Sequence, residues 1–321
     1  MRRSRQHRVP CARRLIFSCH AVPCSPGCEG MKRIKTFHFY GLLFCAAGLL
    51  TGCGQTLLFE PKGPIGDAER FSIIVSFLLM LIAVIPVYIM VIWFPWKYRA
   101  ANTKATYDPK WSRSARIELV IWLVPAVIVT VLAIMVWKTT HQLDPHKPIA
   151  SDIRPIRIEA ISLDWKWLFI YPDQQIATVN QLVFPANVPL SFNLTSNTVM
   201  TSFFIPQLGS QIYAMAGMRT RLHLLADEPG AYLGQNQQFS GKGYADMNFQ
   251  AQAVTREEFS AWVDTVRQSP EKLDAARFKQ LEKPGAGIVT LFSAVRPGLF
   301  NEILSKFTTS MDMNPDTREK H

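Results

Sequence analysis

Six cysteines stand at positions 11, 19, 24, 28, 45 and 53 of this 321-residue chain, and none follows Gln55. Thiolates build zinc ribbons, iron–sulfur clusters, disulfide frameworks and thiolate-bound copper sites, so everything beyond Gln55 is closed to those chemistries. Other residues there could still act. Glu118 is a carboxylate at the opening of an apolar run, in Ala115-Arg116-Ile117-Glu118-Leu119-Val120-Ile121-Trp122. At a helix N-terminus such a charge contributes about 0.3–1 kcal/mol against the macrodipole. His141 and His146 lie just beyond the end of that run and read as interfacial polar residues rather than ligands. Met200, Met215, Met218 and Met247 offer thioether donors, but methionines spaced along strands usually pack in a core.

Two uncharged apolar segments must position these groups. Ile73–Phe94 and Leu119–Trp137 are each long enough to cross a hydrocarbon core of about 30 Å as a helix. Pro86 and Pro125 are tolerated there if neighbouring groups satisfy the freed carbonyls. Trp93, Trp96 and Tyr98, with Trp111 and Trp122, suit an interfacial aromatic belt. The loop between the segments holds Lys97, Arg99, Lys104, Lys110, Arg113 and Arg116 against Asp108, which predicts a cytoplasmic loop and an outer C-terminal domain.

The N-terminus points the same way. From Met31 the chain has a basic start, an apolar stretch from Tyr40 to Leu50, and then Leu50-Thr51-Gly52-Cys53, the layout of a secretory signal. That ending resembles a bacterial lipobox, in which the cysteine, here Cys53, is lipidated and becomes the first mature residue. A signal that simply ends in cysteine is the alternative. Residues 1–30 read as a superfluous leader, with Met31 the initiator. Much of the formal charge of +11 lies in residues 1–52, where only Glu29 opposes the basic residues. No helix or strand carries a basic stripe, which argues against nucleic-acid binding.

Residues 152–254 alternate as strands do, in Ile156–Ala160, Leu190–Leu194 and Met247–Ala251. Pro185-Ala186-Asn187, Glu228-Pro229-Gly230 and Gly241-Lys242-Gly243 supply turns. About 100 residues of short strands predict a β-sandwich or Greek-key barrel. Thr255-Arg256-Glu257-Glu258 is a capping box ahead of an amphipathic helix. Ser269-Pro270 predicts an N-cap and N1 pair opening a second helix towards Gln280. A strand over Ile288–Phe292 and a helix around Leu299–Phe307 follow, then a polar, loose tail over Met311–His321. The expected division is 1–52 leader and signal peptide, 53–70 lipidated outer segment, 71–141 transmembrane hairpin, 152–254 outer domain, and 255–321 helical extension and tail.

A lipoprotein signal, a two-helix hairpin and an outer β-sandwich together resemble subunit II of the haem–copper oxidases, from about Cys53 to Phe307. The most specific stretches are Trp137-Lys138-Thr139-Thr140-His141, Asp164-Trp165-Lys166-Trp167 with Phe169-Ile170-Tyr171-Pro172, Ser202-Phe203-Phe204-Ile205-Pro206, and Gln207–Met218. These look like the cytochrome bo-type ubiquinol oxidase branch, and Arg296-Pro297-Gly298-Leu299-Phe300 resembles its C-terminal extension. The resemblance implies a membrane α-helical hairpin, an all-β cupredoxin-like Greek-key sandwich and a short α-helical C-terminal extension.

In the cytochrome c oxidase branch of this family the outer domain carries a dinuclear copper centre. Carried over by resemblance, its first histidine falls on Thr201, its two cysteines on Asn236 and Ser240, its glutamate on Gln238 and its second histidine on Tyr244. Met247 alone is retained. Bridging thiolates delocalise the electron and hold both metals, and amides or hydroxyls do not replace them. The expectation is therefore no metal in this chain and no electron entry from cytochrome c, with Trp165 and Trp167 serving only to pack. The resemblance implies ubiquinol as the substrate of the complex, with haems and one copper in the partner subunit I. This chain would be a non-catalytic scaffold, contacting subunit I, further small membrane subunits and lipid, in a proton-pumping oxidase of the bacterial inner membrane. Glu118 matches an acid that subunit II places at the cytoplasmic mouth of a proton pathway. Two competing readings are a copper-bearing cytochrome c oxidase subunit II and a free-standing cupredoxin-like lipoprotein.

Overall fold

The computed structural model describes residues 57–104 and 112–312. The leader, the signal, Cys53, Asp108, Lys110, Trp111 and the tail beyond Asp312 lie outside the described residues. The first long helix, α1, spans Pro64–Lys97 and the second, α2, spans Ala115–Gln142. Helix α1 begins ahead of residue 71 because Gly63 is extended and Pro64 supplies a preset first helical φ. The most apolar window of each helix contains no residue buried inside the chain. A soluble core helix would be covered, so these faces require an apolar medium or a partner. Within the spans, Ser72, Ser76 and Thr130 return their hydroxyls to carbonyls four residues back, at 2.7–2.8 Å. At the loop end, Lys97 lies over the Trp93 ring at 5.3 Å and Arg99 over Trp96 at 5.8 Å. Long basic stems beside aromatic rings suit a membrane–water boundary.

Eleven strands follow among the described residues. They are β1 (Ile156–Leu163), β2 (Lys166–Tyr171), β3 (Ile176–Val179), β4 (Gln181–Pro185), β5 (Leu190–Ser196), β6 (Thr201–Phe203), β7 (Ile212–Ala214), β8 (Thr220–Leu224), β9 (Gly230–Gln235), β10 (Asn248–Val254) and, later in the chain, β11 (Thr290–Phe292). One sheet has the order β11-β3-β2-β1-β5-β8, a second β4-β10-β9, and β6 pairs with β7. Strand β1 runs parallel to β5, and β4 parallel to β10. The chain changes sheets between β3 and β4 at Asn180, whose φ is +55°. The core between the sheets holds Trp167, Phe169, Phe192, Phe203 and Phe249. Trp167 therefore packs, as expected from the sequence. Met200 and Met218 do not, being 40% and 51% exposed.

After β10 come α3 (Arg256–Arg267), α4 (Ala275–Leu281) and α5 (Leu299–Asp312). The capping box at α3 forms as expected, with Thr255 Oγ1 accepting from Glu258 N–H at 3.2 Å and Glu258 accepting from Thr255 N–H at 2.9 Å. The start of α4 differs from the Ser269-Pro270 expectation. Asp274 is the cap, accepting from Arg277 N–H at 2.7 Å. The Ser269 hydroxyl accepts from Glu271 N–H at 3.3 Å but also donates to the Leu291 carbonyl at 2.7 Å, which ties that segment to β11, and the helix begins only after Asp274.

This extension covers the outer face of the large sheet and forms a second core of Ile161, Leu168, Ile170, Phe292, Leu299, Phe300 and Ile303. Two polar side chains fasten it. Lys166 Nζ donates to the carbonyls of Leu281 at 3.0 Å and Lys283 at 2.7 Å, at the C-terminus of α4. Asn180 accepts from Trp167 N–H at 2.8 Å and donates to the Gly287 carbonyl at 2.7 Å. Charged hydrogen bonds contribute about 1.5–3 kcal/mol. Lys166→Met is thus expected to cost about 2 kcal/mol and to expose residues 282–288 to protease, measured by limited proteolysis against wild type.

His223 is buried on β8. Desolvation, then Arg221 and His146, hold its pKa below the usual 6.5, partly offset by a hydrogen bond with the Leu190 backbone. The unfolded chain takes up this proton first, so stability falls as pH drops from about 6.5 towards the lower folded pKa. We expect the loss of melting temperature between pH 7.5 and 5.5 to be smaller in His223→Gln than in wild type. Equal losses would remove His223 as the cause.

Candidate functional site

The positions to which the resemblance assigns copper ligands gather where β9 ends and the loop to β10 begins. Asn236, buried just after β9, is their centre. Its Oδ1 accepts from Ser202 N–H at 2.9 Å, from Gln238 N–H at 3.0 Å and from the Ser202 hydroxyl at 3.3 Å. Its Nδ2 donates to the Gln238 carbonyl at 2.9 Å and to Ser240 Oγ at 3.2 Å, and faces Met247 Sδ at 3.5 Å. Asn236, Ser240 and Met247 are thus brought together by side chains, while Gln238 enters through its backbone. Thr201 is engaged elsewhere, donating to Ser162 Oγ on β1 at 2.7 Å. Tyr244 packs edge-on against Phe239 at 5.0 Å, in a loop whose Phe239 is 70% exposed.

Donor chemistry decides whether a copper pair fits. The groups here are an amide with both ends engaged, hydroxyls and one thioether, with no thiolate or imidazole at the assigned positions. Soft copper shared between two metals needs bridging thiolates, so this set does not fit that centre. Among the described residues no group of three or more His, Cys, Asp or Glu side chains is placed to hold a metal ion.

Three contributors escaped the sequence reading. Ser202 is both a donor to Asn236 and, through Oγ, the acceptor for Gln237 N–H at 2.7 Å. Trp165, at φ +63° in the β1–β2 turn, donates its indole N–H to the Ser240 carbonyl at 3.0 Å. Gly243 lies so close under that indole that a Cβ would meet the ring at 2.4 Å. Trp165 therefore closes the loop rather than simply packing. The paired glycines at 241 and 243 were the available signal, read there only as a turn.

Glu118 lies at the other end of the molecule, in the first turn of α2. It is half-exposed and pairs with Arg113, Oε1 to Nε at 3.3 Å. Some 24 residues of helix separate it from Gln142, about 36 Å of rise. His141 and His146 are each held by a neighbour rather than gathered into a ligand set. His141 Nδ1 lies 2.8 Å from the Trp137 carbonyl, and His146 Nδ1 3.2 Å from Asp144.

Residues 156–254 match the family model described as cytochrome c oxidase subunit II, periplasmic domain, and residues 267–311 match the COX aromatic rich motif. The chain is 49% identical to ubiquinol oxidase subunit 2 of Acetobacter aceti, over 85% of this chain and 89% of that protein. It is 50% identical to cytochrome bo(3) ubiquinol oxidase subunit 2 of Pseudomonas aeruginosa, over 87% and 85% respectively. The chain belongs to the ubiquinol oxidase subunit 2 family. A more distant member, quinol oxidase subunit 2 of Bacillus cereus, is 38% identical over 74% of this chain and 82% of its own. Membership of the ubiquinol oxidase subunit 2 family agrees with the resemblance in sequence, hairpin, sandwich and extension alike. It leaves the copper-bearing cytochrome c oxidase reading the less supported one.

Proposed function

We propose that this chain is the non-catalytic subunit II of a proton-pumping terminal ubiquinol oxidase, which reduces oxygen to water in a bacterial inner membrane. Its hairpin and outer domain clamp the haem-bearing subunit I, together with smaller membrane subunits and lipid. The observation that carries this reading is Asn236, whose amide fills the copper position with hydrogen bonds. With no metal held there, electrons reach the complex from ubiquinol and not through this domain from cytochrome c. The haems and one copper belong to subunit I.

Purified complex tests this directly. Ubiquinol should support oxygen uptake and reduced cytochrome c should not, with haem and one copper per complex. Two further coppers with this chain would restore the cytochrome c reading. A chain that purifies without a haem-bearing partner would favour the free lipoprotein.

Two residue roles belong to the same proposal. Cys53 carries lipid as the first mature residue and anchors the N-terminus on the outer face. An intact mass showing an unmodified Cys53, or a chain that retains the signal, would overturn this. Glu118 stands at the cytoplasmic mouth of a proton path, where the exposed pair with Arg113 contributes little stability, about 0–1 kcal/mol. Glu118→Gln should slow turnover and proton uptake roughly three- to tenfold, up to about 1.4 kcal/mol in barrier, with assembly intact. Unchanged rates would reduce Glu118 to a helix-terminus carboxylate.

A further inference from the structure

Between the outer face of the large sheet and the C-terminal extension lies a cleft of about 630 Å³, away from the Asn236 network and from the membrane helices. It is lined by Glu159 of β1, Gln174 of the β2–β3 turn, Arg267 at the end of α3 and the segment 293–301. The size falls within that of small-molecule sites.

The hydrogen-bonding state of its walls is lopsided. The cations around it are taken: Arg296 pairs with Glu302, and Arg157 with Asp173. Arg219 donates to Asn301 and lies over the Phe300 ring at 5.4 Å. Arg267 reaches Asp264 and the Gln174 carbonyl, both at 3.4 Å. Two acceptors are left over. The Glu159 carboxylate is half-buried and makes no hydrogen bond or ion pair among the described residues. The side-chain oxygen of Gln174 is buried with no donor among the described residues.

From this imbalance we infer that the cleft binds a small organic ammonium ion, which donates N–H groups to Glu159 with Gln174 as the second acceptor. An ammonium supplies several N–H donors to a carboxylate that has none in direct contact, and a hydrogen bond to a charged group is the stronger kind. An anionic ligand would have to displace the existing partners of the arginines. Burial raises the pKa of Glu159 above the usual carboxylate range, against the opposing pull of Arg219 and Arg157. A bound cation would offset that burial.

The test uses the purified oxidase complex in phosphatidylcholine nanodiscs, where no anionic lipid competes for amines. Putrescine is titrated by calorimetry, with glutarate as an anion of similar length. Putrescine should bind saturably, Glu159→Gln should weaken it about tenfold or more, and Gln174→Met should weaken it less. Haem content reports that each variant assembles, and Gln174→Met serves if Glu159→Gln does not. The proposal is overturned by no saturable putrescine binding, by binding that survives both substitutions, or by glutarate occupying the cleft instead.

Discussion

Asn236→Leu should destabilise the outer domain by about 3–5 kcal/mol, with the loop from Gln237 to Tyr244 opening first. The replacement keeps the volume but removes the acceptor of a buried backbone N–H, that of Ser202, and of a half-buried one, that of Gln238. Each orphaned donor costs about 1–3 kcal/mol. Ser240 Oγ and the Gln238 carbonyl also lose their donor. Gln238→Ala is the control, because Gln238 contributes only backbone atoms to the network, and its effect should stay within about 0.5 kcal/mol. Urea unfolding of the full chain, followed by tryptophan fluorescence, separates the two variants, since Trp165 sits on the same loop through Ser240. Similar midpoints for both would mean that the loop is held by Trp165 over Gly243 and not by Asn236. The outcome also bears on how the domain can keep its shape without a copper centre at these positions. A buried amide with two acceptor and two donor positions can replace a metal as the organiser of a loop, provided that every position is used.

The parts of this fold that were legible in the sequence are those written in local signals. Two uncharged runs with a basic loop between them define the hairpin whatever the rest of the chain does. The Thr255–Glu258 box works because its two hydrogen bonds close within four residues. Where a local signal competed with a distant partner, the partner won. Ser269 looked like a cap, and its oxygen does accept from Glu271 N–H, but its hydroxyl also ties the segment to Leu291 and the helix waits for Asp274. Lys166 sat unremarked in the Asp164–Trp167 block because its acceptors, Leu281 and Lys283, are more than a hundred residues away. The candidate site shows the same division. Its missing cysteines were visible by inspection. That Asn236 would occupy the place as a hub was not, since this depends on the approach of β6 to the end of β9. The cleft at Glu159 was hidden for a related reason: it exists only once the extension is folded back on the sheet.

Gly63→Ala should loosen the outer domain from the membrane hairpin, although alanine is ordinarily a mild change. The backbone of Gly63 is extended, at φ −164°, so any residue can adopt it and no conformational strain is involved. Space is what forbids the side chain. A Cβ at this position would lie 2.2 Å from the Leu225 carbonyl oxygen, a backbone atom that cannot rotate away. The neighbouring Lys62 is clamped on both sides, its N–H donating to the Gln207 carbonyl at 2.8 Å and its own carbonyl accepting from Asp227 N–H at 2.9 Å. Relief of the clash by about 1 Å of movement would break one or both of these bonds. It would also strain the Lys62–Glu228 and Glu69–Ser210 contacts that continue the seam. Two backbone hydrogen bonds and the residual crowding together amount to about 3 kcal/mol. Gly230→Ala provides the comparison: its Cβ would stand 3.4 Å from Tyr232, an ordinary contact, and the change should cost under about 1 kcal/mol. Hydrogen exchange on the full chain in detergent reads the difference at the seam. The amides of Lys62 and Asp227 should lose protection roughly a hundredfold in Gly63→Ala, the equivalent of about 2.7 kcal/mol, while those of β1 and β5 keep theirs. Uniform loss across the sandwich would show that the seam and the domain unfold as one unit. Unchanged exchange would show that the two segments part easily enough to admit a methyl group, and that the outer domain is not braced through Gly63.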